Sequence, residues 1–459
     1  MILLVENKKK KVVKAANDLI DNWLDYQTYI NELPGLIVGI FIDDEIIFQK
    51  AYGLANVKTK EKFTKDHLFR IASNTKLFTA TAIMMLYKDE KLSLDDKVSK
   101  YLSWFTSEKD DNIQHITIRH LLTHTSGLSC DGKKNYYGTD QSPSLEEIKA
   151  QIKEGLSFSR TNQAVNYSNI GYILLGQIIE AITEQEYSHF IQKEILEPLG
   201  MKNTFVDVSE KNKSLHVTGH GMKYPRKERE TFPLYPSKIF QPAAGLSSTV
   251  EDLIKFYQAY LYGNDILLPD DLKREMLRIQ VKMGNNIRGL GFCLSNNPEG
   301  KIASHVGGEL GFRSMSGFIP DEKIIVVVFV NATNVGIDGF FYSLIHLIQT
   351  LNSLKDIFLQ ETEDSSYDDI VGFYDSLKGW GPELFCQIGS QLVLLNPESM
   401  YPGGSMQILN HKGNFVFTPS KETPTAKPSE DIQFIYSSDG TKIYLDSKKG
   451  KHRRFSYTY

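Results

Sequence analysis

The chain has 459 residues, 41% of them hydrophobic and 24% charged, a composition that excludes disorder throughout and supports large buried cores. Its 52 Lys and Arg against 56 Asp and Glu leave a formal charge of −4, which excludes a strongly basic nucleic-acid binder. Three scattered cysteines, Cys130, Cys293 and Cys386, exclude a disulfide framework and a Cys-based zinc site.

The amino end, with the short apolar run Ile2 to Val5 ahead of Lys8 to Lys11, does not read as a signal peptide, and no apolar run approaches the length of a membrane span. The expectation is a cytoplasmic protein without membrane or nucleic-acid partners, whose homo-oligomeric state stays open. From Lys11 to Tyr29 apolar residues recur at three and four, which predicts an amphipathic helix. After Pro34-Gly35, Leu36 to Ile42 and Glu45 to Phe48 flank Asp43-Asp44 as a hairpin. Asn74 to Asp89 predicts a largely buried helix, and further helices are expected at 118–122, 145–152, 170–182, 187–195 and 250–261. Strands are expected at Gly311 to Ile319 and Lys323 to Asn331, followed by an apolar helix from Phe340 to Leu354.

The acidic stretch Glu361 to Ser366 breaks the pattern and predicts two domains, 1–358 and 367–459. In the second, alternation at 391–395, 413–417, 432–436 and 441–445, with a turn at Ser438-Asp439-Gly440, predicts a small antiparallel β domain. Its aromatics, like Phe340-Phe341-Tyr342, read as core, and His411-Lys412-Gly413 reads as a turn.

Three short motifs carry candidate chemistry. Ser73-Asn74-Thr75-Lys76 places a lysine one helical turn after a serine, and Ser73 is the only serine with lysine three residues later. A serine hydroxyl is a poor nucleophile, and a lysine whose pKa burial lowers can help to activate it. Tyr167-Ser168-Asn169, ahead of an apolar helix, offers a phenol for proton shuttling and an amide for a substrate carbonyl or amide. His305-Val306-Gly307-Gly308, placed just before the strand at Gly311, offers glycines that let a ligand approach the backbone and free an N–H for an oxyanion. His216 and His220 have the spacing of a helical metal pair, but Thr218 and Gly219 make a loop the better reading, and no metal is expected. His124 reads as a structural hydrogen-bonding residue in a turn after a helix.

In that order, SxxK, YxN and HxG resemble the serine β-lactamase and penicillin-binding-protein superfamily. Phe69-Arg70-Ile71-Ala72-Ser73-Asn74-Thr75-Lys76, Ile118 to Leu128 (IRHLLTHTSGL), Pro198-Leu199-Gly200-Met201 and Pro242 to Ser248 resemble its class C β-lactamase branch, over residues 30 to 350. The resemblance implies an α/β sandwich, an antiparallel sheet flanked by helices beside a helical region, with Ser73 acylated in the cleft between them. It implies that Lys76 and Tyr167 share the proton work, that Asn169, His305 and Gly307 meet substrate, and that the backbone N–H groups of Ser73 and Gly308 form the oxyanion hole. Histidine at 305 in place of the lysine of KTG resembles D,D-peptidases, D-aminopeptidases and related esterases, and attracts a carboxylate more weakly than an ammonium would. The glutamate motif of class A enzymes has no counterpart. The carboxyl-terminal domain resembles the lipocalin-like barrels attached to some peptidases of this branch. The expected function is a cofactor-free serine hydrolase cleaving amide or ester bonds in a small-molecule or peptide substrate. β-Lactam hydrolysis, acyl transfer, and a scaffold on the same fold are the rivals.

Overall fold

A computed structural model of the chain describes residues 7–133, 141–297, 300–360, 366–376, 381–422, 431–436, 443–447 and 450–455. The apolar run at Ile2, most of the acidic stretch at 361–366 and the turn at Ser438 lie outside them. Two compact units result, residues 34–337 and residues 1–33 together with 338–459.

The larger unit is built on a nine-stranded antiparallel sheet. In chain order its strands are β1 (Gly35–Ile42), β2 (Glu45–Asn56), β3 (Glu61–Lys62), β4 (Val281–Met283), β5 (Asn286–Arg288), β6 (Cys293–Asn297), β7 (Gly300–Glu309), β8 (Phe312–Ile319) and β9 (Ile324–Val330). They lie side by side as β3-β2-β1-β9-β8-β7-β6-β5-β4. The predicted hairpin is β1–β2, turning at Asp43-Asp44. β1 and β9 are buried at every position, so their near-continuous Ile, Val and Phe runs mark strands covered on both faces. The register Leu36↔Val330 through Ile42↔Ile324 brings the two ends of this unit's sequence together at the centre of the sheet.

The helix Val250–Gln258 lies across β1 and β9, and Gly39 lets it approach, because a Cβ there would stand 2.2 Å from Val250 Cγ1. Behind it runs the helix Thr75–Lys88, buried along nearly its whole length, with Asn169–Thr183 packed against it. Phe78 is fully buried and stacks on Phe256 with ring centroids 4.0 Å apart. Phe78→Ala removes one of the larger ring contacts of this core, and we expect it to lower unfolding free energy by about 3–5 kcal/mol, read from denaturant titration monitored on the helix signal.

The HVGG segment stands just before the strand at Phe312, as expected, and itself lies inside a strand, β7, with the turn at Leu310-Gly311. Three expectations are corrected. The helix expected over 11–29 is two, Lys8–Ala15 and Asn17–Ile30, interrupted at Ala16. In the barrel, 413–417 is not one strand: Asn414 and Phe415 have φ of 49° and 55° and turn the chain between strands Gln407–Gly413 and Val416–Pro419. His411-Lys412-Gly413 therefore ends a strand.

In the smaller unit eight antiparallel strands close into a barrel, the first, Gly372–Ser376, pairing with both Pro382–Ile388 and Gly450–Phe455. Its interior is filled by side chains, among them Tyr374, Phe385, Phe417 and Phe434, whose rings meet edge to face, so these aromatics are core. Trp23 and Gln27 of the second helix donate to the backbone carbonyls of Ser399 and Pro397, tying that helix to the barrel's loop.

Candidate active site

The helix that carries Lys76 does not begin abruptly. Residues Ala72–Asn74 form a 3-10 turn that runs into Thr75–Lys88, and Ala72 has φ 46°, a left-handed conformation unusual for alanine. That bend lifts Ser73, partly exposed, out of a segment that is otherwise buried. Asn74 is fully buried; it donates to Ser314 Oγ at 2.9 Å and accepts from Ser316 Oγ at 2.7 Å, fixing the turn against β8.

Lys76 has no exposed surface. Its ammonium donates to Ser73 Oγ at 3.2 Å, to Asn169 Oδ1 at 2.7 Å and to the Ala243 carbonyl at 2.7 Å. Burial, with the charge of Arg288 adding to it, lowers its pKa from 10.5 to about 7, against the opposing influence of Cys130 and Asp131. The ammonium also lies 4.8 Å from the centre of the Tyr167 ring. Burial pushes the Tyr167 phenol far up, with the Ser73 hydroxyl pulling it the other way, so the phenol is protonated at neutral pH.

Asn169 opens the next helix, and Ser168 caps it by accepting from Gly171 N–H at 3.0 Å. Besides accepting from Lys76, the Asn169 amide donates to Asp131 at 2.6 Å, which sets its orientation. His124 stands behind Tyr167, ring centroids 4.3 Å apart, and its Nδ1 accepts from Ser168 N–H at 3.1 Å. That is the structural hydrogen-bonding role expected for it. His216 and His220 each turn Nδ1 to a backbone carbonyl, of Asn212 and Asn331 respectively.

β7 supplies the opposite wall. Its pairing with β6 ends at Cys293↔Ser304, so from His305 onward that edge has no sheet partner among the described residues. Gly307 faces the Ala72–Asn74 turn at a distance only glycine permits, since a Cβ would stand 2.2 Å from the Ile71 carbonyl oxygen. His305 is 1% exposed, and its Nδ1 lies 2.7 Å from the Val306 carbonyl. Burial, then the charges of Lys76 and Arg288, push its pKa from 6.5 to about 3, so the ring is neutral at physiological pH and offers no charge to a carboxylate.

A cavity of about 350 Å³ opens beside Ser73 and Asn169, bounded by Gly308 and by the strap Glu230–Ser237. Reading the sequence alone passes over that strap, over Arg70 and over Asp131. The signals were an arginine within an apolar run and a Phe-Pro-Leu-Tyr-Pro string.

The model of one protein family, described as Beta-lactamase, matches residues 20–339. Penicillin-binding protein 4* of Bacillus subtilis (strain 168) is 32% identical over 301 residues, covering 61% of this chain and 65% of that relative. The chain spans 50–65% of the length of the curated relatives it matches. Among solved structures, the octameric penicillin-binding protein homologue from Pyrococcus abyssi shares the fold over 95% of this chain and 99% of its own, with TM-score 0.63 and 22% identity. The D-amino acid amidase of Ochrobactrum anthropi SV3 covers 70% of this chain and 91% of its own, with TM-score 0.60 and 25% identity. With the family match extending over the whole of the larger unit, the chain belongs to the beta-lactamase family.

Proposed function

We propose that the chain is a serine hydrolase that forms an acyl-enzyme on Ser73 and acts on D-amino-acid amides or peptides or on small esters. The observation that carries this reading is the pairing of Ser73 Oγ with a fully buried lysine 3.2 Å away, whose pKa is lowered to about 7, beside an open cavity. A structural lysine gains nothing from such burial, and a base for serine needs it. In the first step Ser73 Oγ bonds to the substrate carbonyl carbon as its proton passes to neutral Lys76. The backbone N–H groups of Ser73 and Gly308 receive the oxyanion. The carbon–nitrogen or carbon–oxygen bond then breaks, and the amine or alcohol leaves with the proton. Water repeats the sequence on the acyl-enzyme and frees the acid. Tyr167 serves as a proton relay in its phenol form, while Asn169 holds the substrate amide. Gly307 lets the strand lie against the Ser73 turn, where its backbone meets substrate, and His305 stands beside Tyr167 as a neutral ring.

Similarity to a D-amino acid amidase and histidine at the HxG position support the substrate class. The test is exposure of the protein to a fluorescent penicillin and to p-nitrophenyl acetate, with the labelled peptide mapped by mass spectrometry. An acyl adduct on the peptide bearing Ser73, together with ester turnover, is expected. An adduct elsewhere, or none in folded protein, sinks the proposal.

A further inference from the structure

Among the described residues, four charged side chains line the cavity beside Ser73: the cation Arg70 and the carboxylates Asp131, Glu230 and Glu309. Two of the three carboxylates are paired. Glu309 accepts from Arg70 Nε at 3.0 Å, and the guanidinium, 1% exposed, directs its other nitrogens to the Tyr235 carbonyl and Ser237 Oγ. Glu230, which is exposed, lies 3.5 Å from Arg226. Asp131 is partly buried and makes no ion pair among the described residues.

What holds Asp131 is an amide. Its Oδ1 accepts from Asn169 Nδ2 at 2.6 Å, while Asn169 Oδ1 accepts from Lys76 at 2.7 Å, so one side chain separates the carboxylate from the lysine beside Ser73. Lys76 must be neutral to take the Ser73 proton. In that reactive form Asp131 keeps its charge with no cation to answer it, a costly arrangement for a partly buried carboxylate. Orienting Asn169 does not require that charge, since the carbonyl of an asparagine or glutamine would accept the same hydrogen bond. Ser142 lines the same cavity, and its hydroxyl is buried without a hydrogen-bond partner among the described residues, which leaves a second acceptor for a donor entering there.

We propose that Asp131 is a specificity residue of the cleft, pairing with an ammonium group that the substrate carries close to its scissile bond. The inference rests on the acyl-enzyme reading above and narrows its substrates to amine-bearing amides and esters. Such a group has two sources. A D-amino-acid amide with a free amine carries it on the carbon next to the scissile carbonyl, and a basic leaving group carries it on the other side of the bond.

The test compares kcat/KM within two pairs of substrates that differ by acetylation of the amine. D-phenylalanine p-nitroanilide and its N-acetyl derivative place the charge on the acyl part; 4-(aminomethyl)phenyl acetate and 4-(acetamidomethyl)phenyl acetate place it on the leaving part. The parent is expected to favour the free amine by about tenfold or more in one pair, and that pair names the source. In Asp131→Asn, which keeps an acceptor for Asn169 and removes the charge, the preference should shrink to within about twofold. Asp131→Ser makes the same comparison if the asparagine variant does not fold. Because each result is a ratio, a general loss of activity through a displaced Asn169 cancels. A parent that turns over p-nitrophenyl acetate but favours the amine in neither pair overturns the proposal, as does a preference that survives loss of the charge, and both leave Ser73 chemistry intact. Failure of the folded parent to turn over any of these esters and anilides overturns the acyl-enzyme reading itself, and this inference with it.

Discussion

Ser73→Ala is expected to remove ester turnover and penicillin labelling together, with a fall in kcat of at least about 10⁴-fold, while the melting temperature stays near that of the parent. The size follows from the chemistry. Without Oγ there is no covalent route, and what persists is the smaller rate gained from holding a substrate against backbone donors. The stability expectation follows from position. Ser73 is partly exposed, and its hydroxyl is one of three acceptors of Lys76, leaving Asn169 and the Ala243 carbonyl to hold the ammonium. The same measurement separates an active enzyme from a scaffold on this fold. Equal ester turnover in parent and variant would remove Ser73 from the chemistry.

Much of this arrangement is legible in the chain itself, because its signals are local. The helix at Thr75–Lys88 shows as an apolar run without alternation, and the placement of Lys76 over Ser73 needs only helical geometry. The β1–β2 hairpin shows in its tight acidic turn. β7 hides for an equally physical reason: Gly300 to Glu309 contains Gly307-Gly308 and no apolar alternation, so its strand character comes from pairing with β8, a contact no local pattern reveals. At Asn414-Phe415 the turn signal of Gly413-Asn414 is present but is masked by the apolar run Phe415 to Phe417, which reads as strand.

The site divides along the same line. Ser73, Lys76, Tyr167, Asn169 and His305 could be named from short motifs, and the fold sets them around one cleft. What the motifs do not carry is each residue's charge. That Lys76 approaches neutrality near pH 7 and that His305 is uncharged both follow from burial, which is decided by packing from distant segments such as Ala243 and β5. Arg70 escaped notice because its partners lie about 165 to 239 residues away in sequence.

The charge on Lys76 leads to the second large effect. A lysine that accepts the Ser73 proton must be neutral, and its neutral fraction rises as pH climbs through its pKa. With that pKa lowered to about 7, kcat/KM for p-nitrophenyl acetate should rise tenfold per pH unit below about 7 and level off above it. An unburied lysine would put the same limb more than three units higher. Lys76→Met should erase the limb and lower kcat by about 10²–10⁴-fold, with some loss of stability because Asn169 Oδ1 and the Ala243 carbonyl lose their donor. Tyr167→Phe distinguishes the two candidates for the proton. Its phenol is held protonated far above neutrality, so removing the hydroxyl should cost less than removing the ammonium and leave the acid limb in place. A limb that survives in Lys76→Met and vanishes in Tyr167→Phe would move the base from the lysine to the phenol. Its midpoint would then report a tyrosine whose ionisation the buried site opposes.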